Sequence, residues 1–253
     1  MADAVITMDG WFALHDTRTF DWTSWKLASE EERKEAVEEF KQLVAKWEPV
    51  EEEKKGSQAI YKIVGNKADL MFVFLRPTTD ELEELKREIN KSKIGDYLIP
   101  AYSYLSVVEM PIHNPRVKEE KELDYDNLDP KIEARLHPIL PKWEYICFYP
   151  MARRRWPHWN WFEISKEERN RLLFEHGMTG RKYEGKVKQI VTGSIGLDEY
   201  EWGVTLFAHD AVQFKKIVYE MRFDEATAKY GEFGDFLIGN YLTNDEINSY
   251  FAL

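Results

Sequence analysis

Cysteine is almost absent from this chain. Cys147 stands alone among 253 residues, so neither an intrachain disulfide nor a thiolate metal cluster is expected, as suits a reducing, cytoplasmic compartment. No apolar stretch approaches membrane-spanning length. The opening MADAVITMDGWFALHD has no basic segment leading into a long apolar run, so no secretory leader is expected. Basic charge is also scarce: 35 Lys and Arg against 46 Asp and Glu leave a net charge of -11, which argues against a surface that wraps nucleic acid. Phosphate loops, dinucleotide fingerprints, GxSxG elbows and paired metal-histidine helix motifs are all missing. His15, His113, His137, His158 and His209 show no recurring ligand spacing, so a zinc enzyme finds no support.

Aromatic residues are plentiful, at 14% of the chain, enough to fill a large core and to line a cofactor pocket. The first half reads as β-α-β-β-α-β. An apolar run at Gly10 to His15 precedes a helix opened by Ser29 with Glu32 in a capping box, and Ala36, Val37, Phe40, Leu43, Val44 and Trp47 fall on one helical face. Strands follow at Ala59 to Val64 and Leu70 to Leu75. A helix from near Thr78 turns Leu82, Leu85 and Ile89 inward, and a strand covers Tyr102 to Glu109. The second half repeats the order: a strand at Tyr145 to Arg153, a helix opened by Ser165 with Glu168, strands at Val187 to Ser194 and Trp202 to Phe207, a helix over Asp210 to Met221, and a strand near Asp235 to Asn240. SEEER and SKEER open the two long helices. The reading is an α+β chain with an internal duplication: a ferredoxin-like module over 1–110, a surface linker over 111–141 and a second module over 142–253, their sheets packed face to face.

The unusual chemistry lies in the second module. His176 follows Leu172 and Leu173 on or beside the buried face, with Gly177 as a helix terminator; it fits either a helix-end histidine satisfying carbonyls or a ligand to iron. Tyr149 shares a strand face with Met151, as a core tyrosine or as a pocket hydroxyl. Gln189 alternates with Val187 and Val191, which puts an amide on an otherwise apolar face, paired with backbone or available to a ligand. Arg135, Arg153, Arg154, Arg155, Arg181 and Arg222 form a cationic set in an acidic chain, suited to a polycarboxylate, with at least Arg154 or Arg155 as a plain surface charge. Trp156, Trp159, Trp161 and Trp202 divide between core and ligand stacking.

YICFYPMARR, NWF, EHGMTGRKYEGKVKQIVTGSIGLDEYEWGVTLF and YEMRFDEATAKYGEFG, joined by DGWFALHDTRTFDW, GNKADLMF and PAYSYLSVVE, together resemble the chlorite-dismutase-like haem superfamily, and within it the coproheme decarboxylases. The resemblance spans nearly the whole chain. It implies two ferredoxin-like modules forming a dimeric α/β barrel, with antiparallel sheets and helices outside, assembled into a homopentamer with one porphyrin in each C-terminal module. By the same resemblance His176 matches the proximal iron ligand, Tyr149 the catalytic tyrosine that forms a radical, and Gln189 the distal glutamine. Met151, Trp161 and Trp202 match pocket side chains, and Arg135, Arg181 and Arg222 match residues around the propionates. Two positions depart from the pattern. Arg153 stands where the family commonly has lysine, which keeps a cation but makes a poorer proton donor, and Thr227 replaces a propionate-binding serine. Oxygen-producing chlorite dismutases have a distal arginine where this chain has Gln189, so efficient chlorite chemistry is not expected. The implied activity is hydrogen peroxide-dependent conversion of iron coproporphyrin III (coproheme) to haem b through a monovinyl intermediate. Transient contact with the enzyme that delivers coproheme is also implied. A haem carrier without turnover, and an interaction protein that has lost its cofactor, are the alternatives from other classes.

Overall fold

The computed structural model describes residues 5–112, 124–125 and 127–253. Its main strands are β1 (Thr7–Phe20), β2 (Ser57–Ile63), β3 (Leu70–Arg76), β4 (Leu98–Pro111), β5 (Tyr145–Arg153), β8 (Val187–Gly193), β9 (Trp202–Ala208), β10 (Gly231–Phe233) and β11 (Leu237–Tyr241), with a small hairpin of β6 (Arg155–Trp156) and β7 (Trp159–Asn160). The first half pairs its strands in the order β2-β3-β1-β4, and the second in the order β8-β9-β5-β11, so the duplication read from the helix starts is also a duplication of topology. The sheets do more than face each other: β4 pairs with β8 and β11 with β2, all antiparallel, which seams the halves along both edges into one closed barrel. Closure removes the free edges that two separate sheets would leave.

Strand alternation fills the barrel. Trp11, Ala13, Tyr61, Met71, Val73, Tyr104, Ile146, Phe148 and Phe207 point inward from both halves as one cluster. The interior is tight: a Cβ added at Gly203 would lie 2.9 Å from the Tyr104 ring. His15 belongs to the same interior, stacked 3.9 Å from Phe148 and hydrogen-bonded through Nε2 to Thr205 Oγ1 at 2.9 Å.

Outside the barrel, the first half is sealed by two helices. Glu30–Trp47 starts at the Ser29/Glu32 capping box and buries Ala36, Val37, Phe40, Val44 and Trp47. Thr79–Lys91 starts at a second capping box, Thr78/Glu81, and buries Leu82, Leu85 and Ile89. All eight residues join Phe72 and Phe74 of β3 in one core, each fully buried large side chain contributing roughly 1.5–3 kcal/mol. Part of the expected linker, at 113–123 and 126, lies outside the described residues. The rest is exposed or half-buried except at two anchors: a short helix at Pro130–Leu136 buries Leu136, and Leu140 reaches the barrel core. No helix among the described residues is long and apolar enough to cross a membrane.

Candidate active site

The outer face of β5, β9 and β8 forms the floor of the candidate site. Cys147 and Tyr149 point outward into a cluster with Val204, Leu206, Ala208 and, from the helix Val212–Met221, Phe214 and Ile217. The strand registers order the floor in rows. Tyr149 lies opposite Val204 and Val204 opposite Val191; Met151, Trp202 and Gly193 make the row on one side, and Cys147, Leu206 and Gln189 the row on the other. Tyr149 and Gln189 are thus two strands apart on one face, on the order of 10 Å, with apolar side chains between them. Gln189 is exposed and its side-chain amide makes no hydrogen bond to a described residue, so the face around it is open where the sequence suggested a buried amide.

Tyr149 stacks on Phe236, with ring centroids 4.4 Å apart, and lies 5.8 Å from Phe233. The Arg222 guanidinium sits 4.1 Å from the Phe233 centroid. Burial, reinforced by Cys147, pushes the Tyr149 phenol well above its ordinary value, and the Arg222 charge counters this only in part. The phenol is therefore protonated at neutral pH, and its hydroxyl bonds no described residue. Beside it, an open cleft of about 510 Å³ is lined by Arg154, Tyr200, Arg222, Phe233 and Phe236.

His176 is carried by the helix Lys166–Arg181, whose N-cap Ser165 accepts from the Glu168 amide. The helix does not stop at Gly177. It runs on to Arg181, since one interior glycine costs only about 1 kcal/mol against alanine and nothing packs against that position. His176 is thus an interior helical residue rather than a helix-end carbonyl cap, and its Nδ1 lies 3.1 Å from Asp224 Oδ2. Thr227 Oγ1 lies 3.4 Å from the same nitrogen, and the Thr227 amide donates to Asp224 Oδ1 at 3.0 Å. Burial opposes ionisation of Asp224, but the bonds from His176 and Thr227 outweigh it and hold the carboxyl below the usual carboxylate range. A carboxylate accepting from Nδ1–H fixes the tautomer that leaves a lone pair on Nε2. Nε2 bonds no described residue, so the ring meets the requirement of an axial ligand to porphyrin iron, oriented from behind.

This helix packs differently from its counterpart in the first half. Leu172 joins Trp161, Ala226 and Tyr230 in a small separate cluster, and no residue of the helix belongs to the floor cluster under Tyr149. Leu173, Phe174 and Met178 are 43%, 65% and 45% exposed.

The remaining residues singled out from the sequence divide into two groups. Trp202 borders the floor beside Met151, and its indole donates to Glu109 Oε1 at 3.1 Å across the β4–β8 seam. Gly193 gives that carboxylate room, since a Cβ there would lie 2.4 Å from it. Trp161 is buried and lies under the Arg153 guanidinium, 4.6 Å from ring centroid to Cζ. Arg135 and Arg181 are exposed and form no ion pair with a described residue; neither is brought to the floor by any contact within the chain. Arg155 is exposed, while Arg154 covers Trp156 at 4.8 Å. Reading the sequence missed Asp224, Glu109, Phe233 and Phe236. Asp224 had a signal, since Asp-x-x-Thr is an N-cap pattern opening the helix Glu225–Tyr230; nothing in the sequence tied it to His176.

Comparison with known proteins agrees with this arrangement. The family model described as chlorite dismutase matches residues 33–242. The chain is 64% identical over 254 residues to a protein from Oceanobacillus iheyensis named coproheme decarboxylase, covering 100% of both chains. Its structure is similar to that of a haem-binding protein from Thermus thermophilus, with a TM-score of 0.93, 45% identity and coverage of 100% of this chain and 99% of that one. Chlorite dismutase from Candidatus Nitrospira defluvii, in complex with imidazole, shares the fold at 21% identity and a TM-score of 0.77, covering 97% of this chain and 96% of that one. A match over so much of the chain, on a barrel of this topology, settles its kinship: the protein belongs to the chlorite dismutase family.

Proposed function

We propose that the chain is a coproheme decarboxylase, which converts the 2- and 4-propionates of iron coproporphyrin III to vinyl groups in turn and releases haem b. The observation that carries this reading is a pair of groups prepared for a ligand: His176, with Nδ1 held by Asp224 and Nε2 free, and the buried, protonated, unpartnered phenol of Tyr149. The 64% identity to a protein named coproheme decarboxylase supports it. The bound iron porphyrin is both substrate and redox centre, with hydrogen peroxide as oxidant.

In this reading His176 holds the iron through Nε2, and Gln189 lies on the opposite, peroxide side. Tyr149 gives up an electron and its proton, and the tyrosyl radical then takes hydrogen from the propionate β-carbon. Loss of carbon dioxide and a second electron leaves the vinyl group, and the two electrons and protons released in each decarboxylation reduce one peroxide to two waters. Met151 and Trp202 border the macrocycle, and Trp161 closes the pocket from below Arg153. Arg135, Arg181 and Arg222 are assigned to the propionates, with Thr227 near the iron-bound imidazole. The first half, 1–110, is structural, 111–141 connects, and 142–253 binds the porphyrin. A homopentamer in the cytoplasm, receiving coproheme from the enzyme that makes it, completes the proposal.

The test is to load the purified protein with iron coproporphyrin III, titrate in hydrogen peroxide and follow the porphyrin by mass spectrometry. Stepwise loss of two carboxyl groups, each as carbon dioxide and two hydrogens, is expected. Tight binding without mass change would favour the second reading, a haem carrier, which the 45% identity to a haem-binding protein keeps in view. The neutral Gln189 disfavours chlorite as substrate, and oxygen evolution from chlorite would reverse that judgement.

A further inference from the structure

Arg153 ends the strand that carries Tyr149, and its side chain does not enter solvent: the residue is 7% exposed. Its backbone N–H donates to Glu201 Oε2 at 2.7 Å, which pins the strand end. Its Nη1 donates to the Ala226 carbonyl at 3.1 Å, while the guanidinium lies over the Trp161 ring with Cζ 4.6 Å from the centroid. Ala226 belongs to the helix Glu225–Tyr230, which Asp224 caps through the Thr227 amide, and Asp224 is the carboxylate that accepts from His176. The same helix is pressed onto the strand end at Gly231, which pairs with Arg153; a Cβ there would lie 2.9 Å from the Thr227 carbonyl. One side chain therefore ties the Tyr149 strand to the turn that orients the imidazole. Only a planar, multi-donor cation can donate in its plane to a carbonyl and stack its face on an indole at once; an ammonium satisfies one of these at a time.

We propose that Arg153 is a positioning residue, which sets the His176 imidazole for iron through Ala226 and the Asp224–Thr227 cap, and that it neither contacts the propionates nor supplies protons to them. This rests on the porphyrin-binding reading above. A guanidinium already committed to Ala226 and Trp161 is withdrawn from the ligand, so its removal is felt at the iron bond and not at the carboxylates.

The experiment compares binding of iron coproporphyrin III with binding of metal-free coproporphyrin III, which keeps every propionate but needs no axial ligand, in wild type, Arg153→Met and Arg153→Lys. Loss of such an outer partner typically costs about 10- to 100-fold in metal affinity. Arg153→Met is expected to weaken the iron form by that factor, shift its axial-ligation absorption bands and leave the metal-free form within about twofold. Arg153→Lys is expected to fall between. In the apoprotein, amide exchange at Thr227 is expected to quicken. Equal weakening of both porphyrins would overturn the proposal in favour of a propionate contact, and unchanged binding of the iron form would overturn it outright. If Arg153→Met fails to fold, Arg153→Leu, which likewise removes the donor to the Ala226 carbonyl, takes its place with the same two outcomes. A wild type that binds neither porphyrin would instead sink the decarboxylase reading, a result distinct from both.

Discussion

The two halves of the barrel share a strand order and a pair of covering helices, but they treat the polar groups of their outer faces in opposite ways. In the first half, Asp16 and Arg18 on the outer face of β1 close a buried ion pair at 2.6 Å, and Arg18 also reaches Asn90 on the covering helix at 2.8 Å. Phe72 and Phe74 beside them are sealed by both helices. In the second half, the outer face of β5 offers Tyr149 with a free hydroxyl, and the helix above offers His176 with a free ring nitrogen. On its outer face, one copy of the duplicated unit pairs its own polar groups. The other leaves the Gln189 end of its floor exposed and, among the described residues, the Tyr149 hydroxyl and His176 Nε2 without a hydrogen bond, and the difference points to where a ligand would sit.

The largest expected effects break each half in its own currency. Tyr149→Phe removes only the hydroxyl, so decarboxylation should fall by orders of magnitude while iron coproporphyrin still binds; a variant making haem at the wild-type rate would end the radical assignment. Phe72→Ala in the first half should leave the second half's ligand groups in place but cost roughly 3–5 kcal/mol of stability, read from denaturant unfolding, because its site is packed on all sides. A loss below about 1 kcal/mol would mean that Phe72 is not sealed between the sheet and both helices.

The fold was legible in the sequence to the extent that it was periodic. The capping box at Ser29, a helix start near Thr78, the inward faces of both helices, and the span of β5 from Tyr145 to Arg153 all stood in the spacing. The seam pairings of β4 with β8 and β11 with β2 are non-local and leave no periodic trace, so the closure by hydrogen bonding along both edges was not visible. The same limit applies to the site. His176, Tyr149 and Gln189 could be singled out from their spacing and Thr227 through the family resemblance, but Asp224 is 48 residues from His176 and Glu109 is 93 from Trp202. Gly177 misled because a glycine that ends many helices is merely tolerated inside this one.

A smaller effect probes how the halves are joined. His15, from the first half, is buried against Phe148 and Thr205 of the second, and burial lowers its pKa to about 3. It is neutral in the fold and protonates near the ordinary histidine value when unfolded. Between about 6.5 and 3 the unfolded chain therefore binds the extra proton, and stability should fall as pH falls, by up to about 1.4 kcal/mol per unit from this group. His15→Gln should flatten that slope in unfolding curves between pH 6.5 and 5. A slope unchanged by the substitution would mean that His15 is not held neutral inside the barrel.

The smallest expected change tests the comparison most directly. Phe40 and Phe174 occupy the first long helix of their respective halves; Phe40 is fully buried, whereas Phe174 is 65% exposed. Were the two helices packed alike, truncating either ring would open a cavity costing several kcal/mol. Because the His176 helix is anchored through Leu172 and not through its other apolar residues, Phe174→Ser should move stability by no more than about 0.5 kcal/mol. A loss above about 1 kcal/mol would mean that Phe174 is covered in solution, by a second copy of the chain or by the helix settling onto the floor. Repeating the measurement across protein concentrations separates these, since only association makes the midpoint depend on concentration. A settled helix would close the space over Tyr149 that the proposed porphyrin needs.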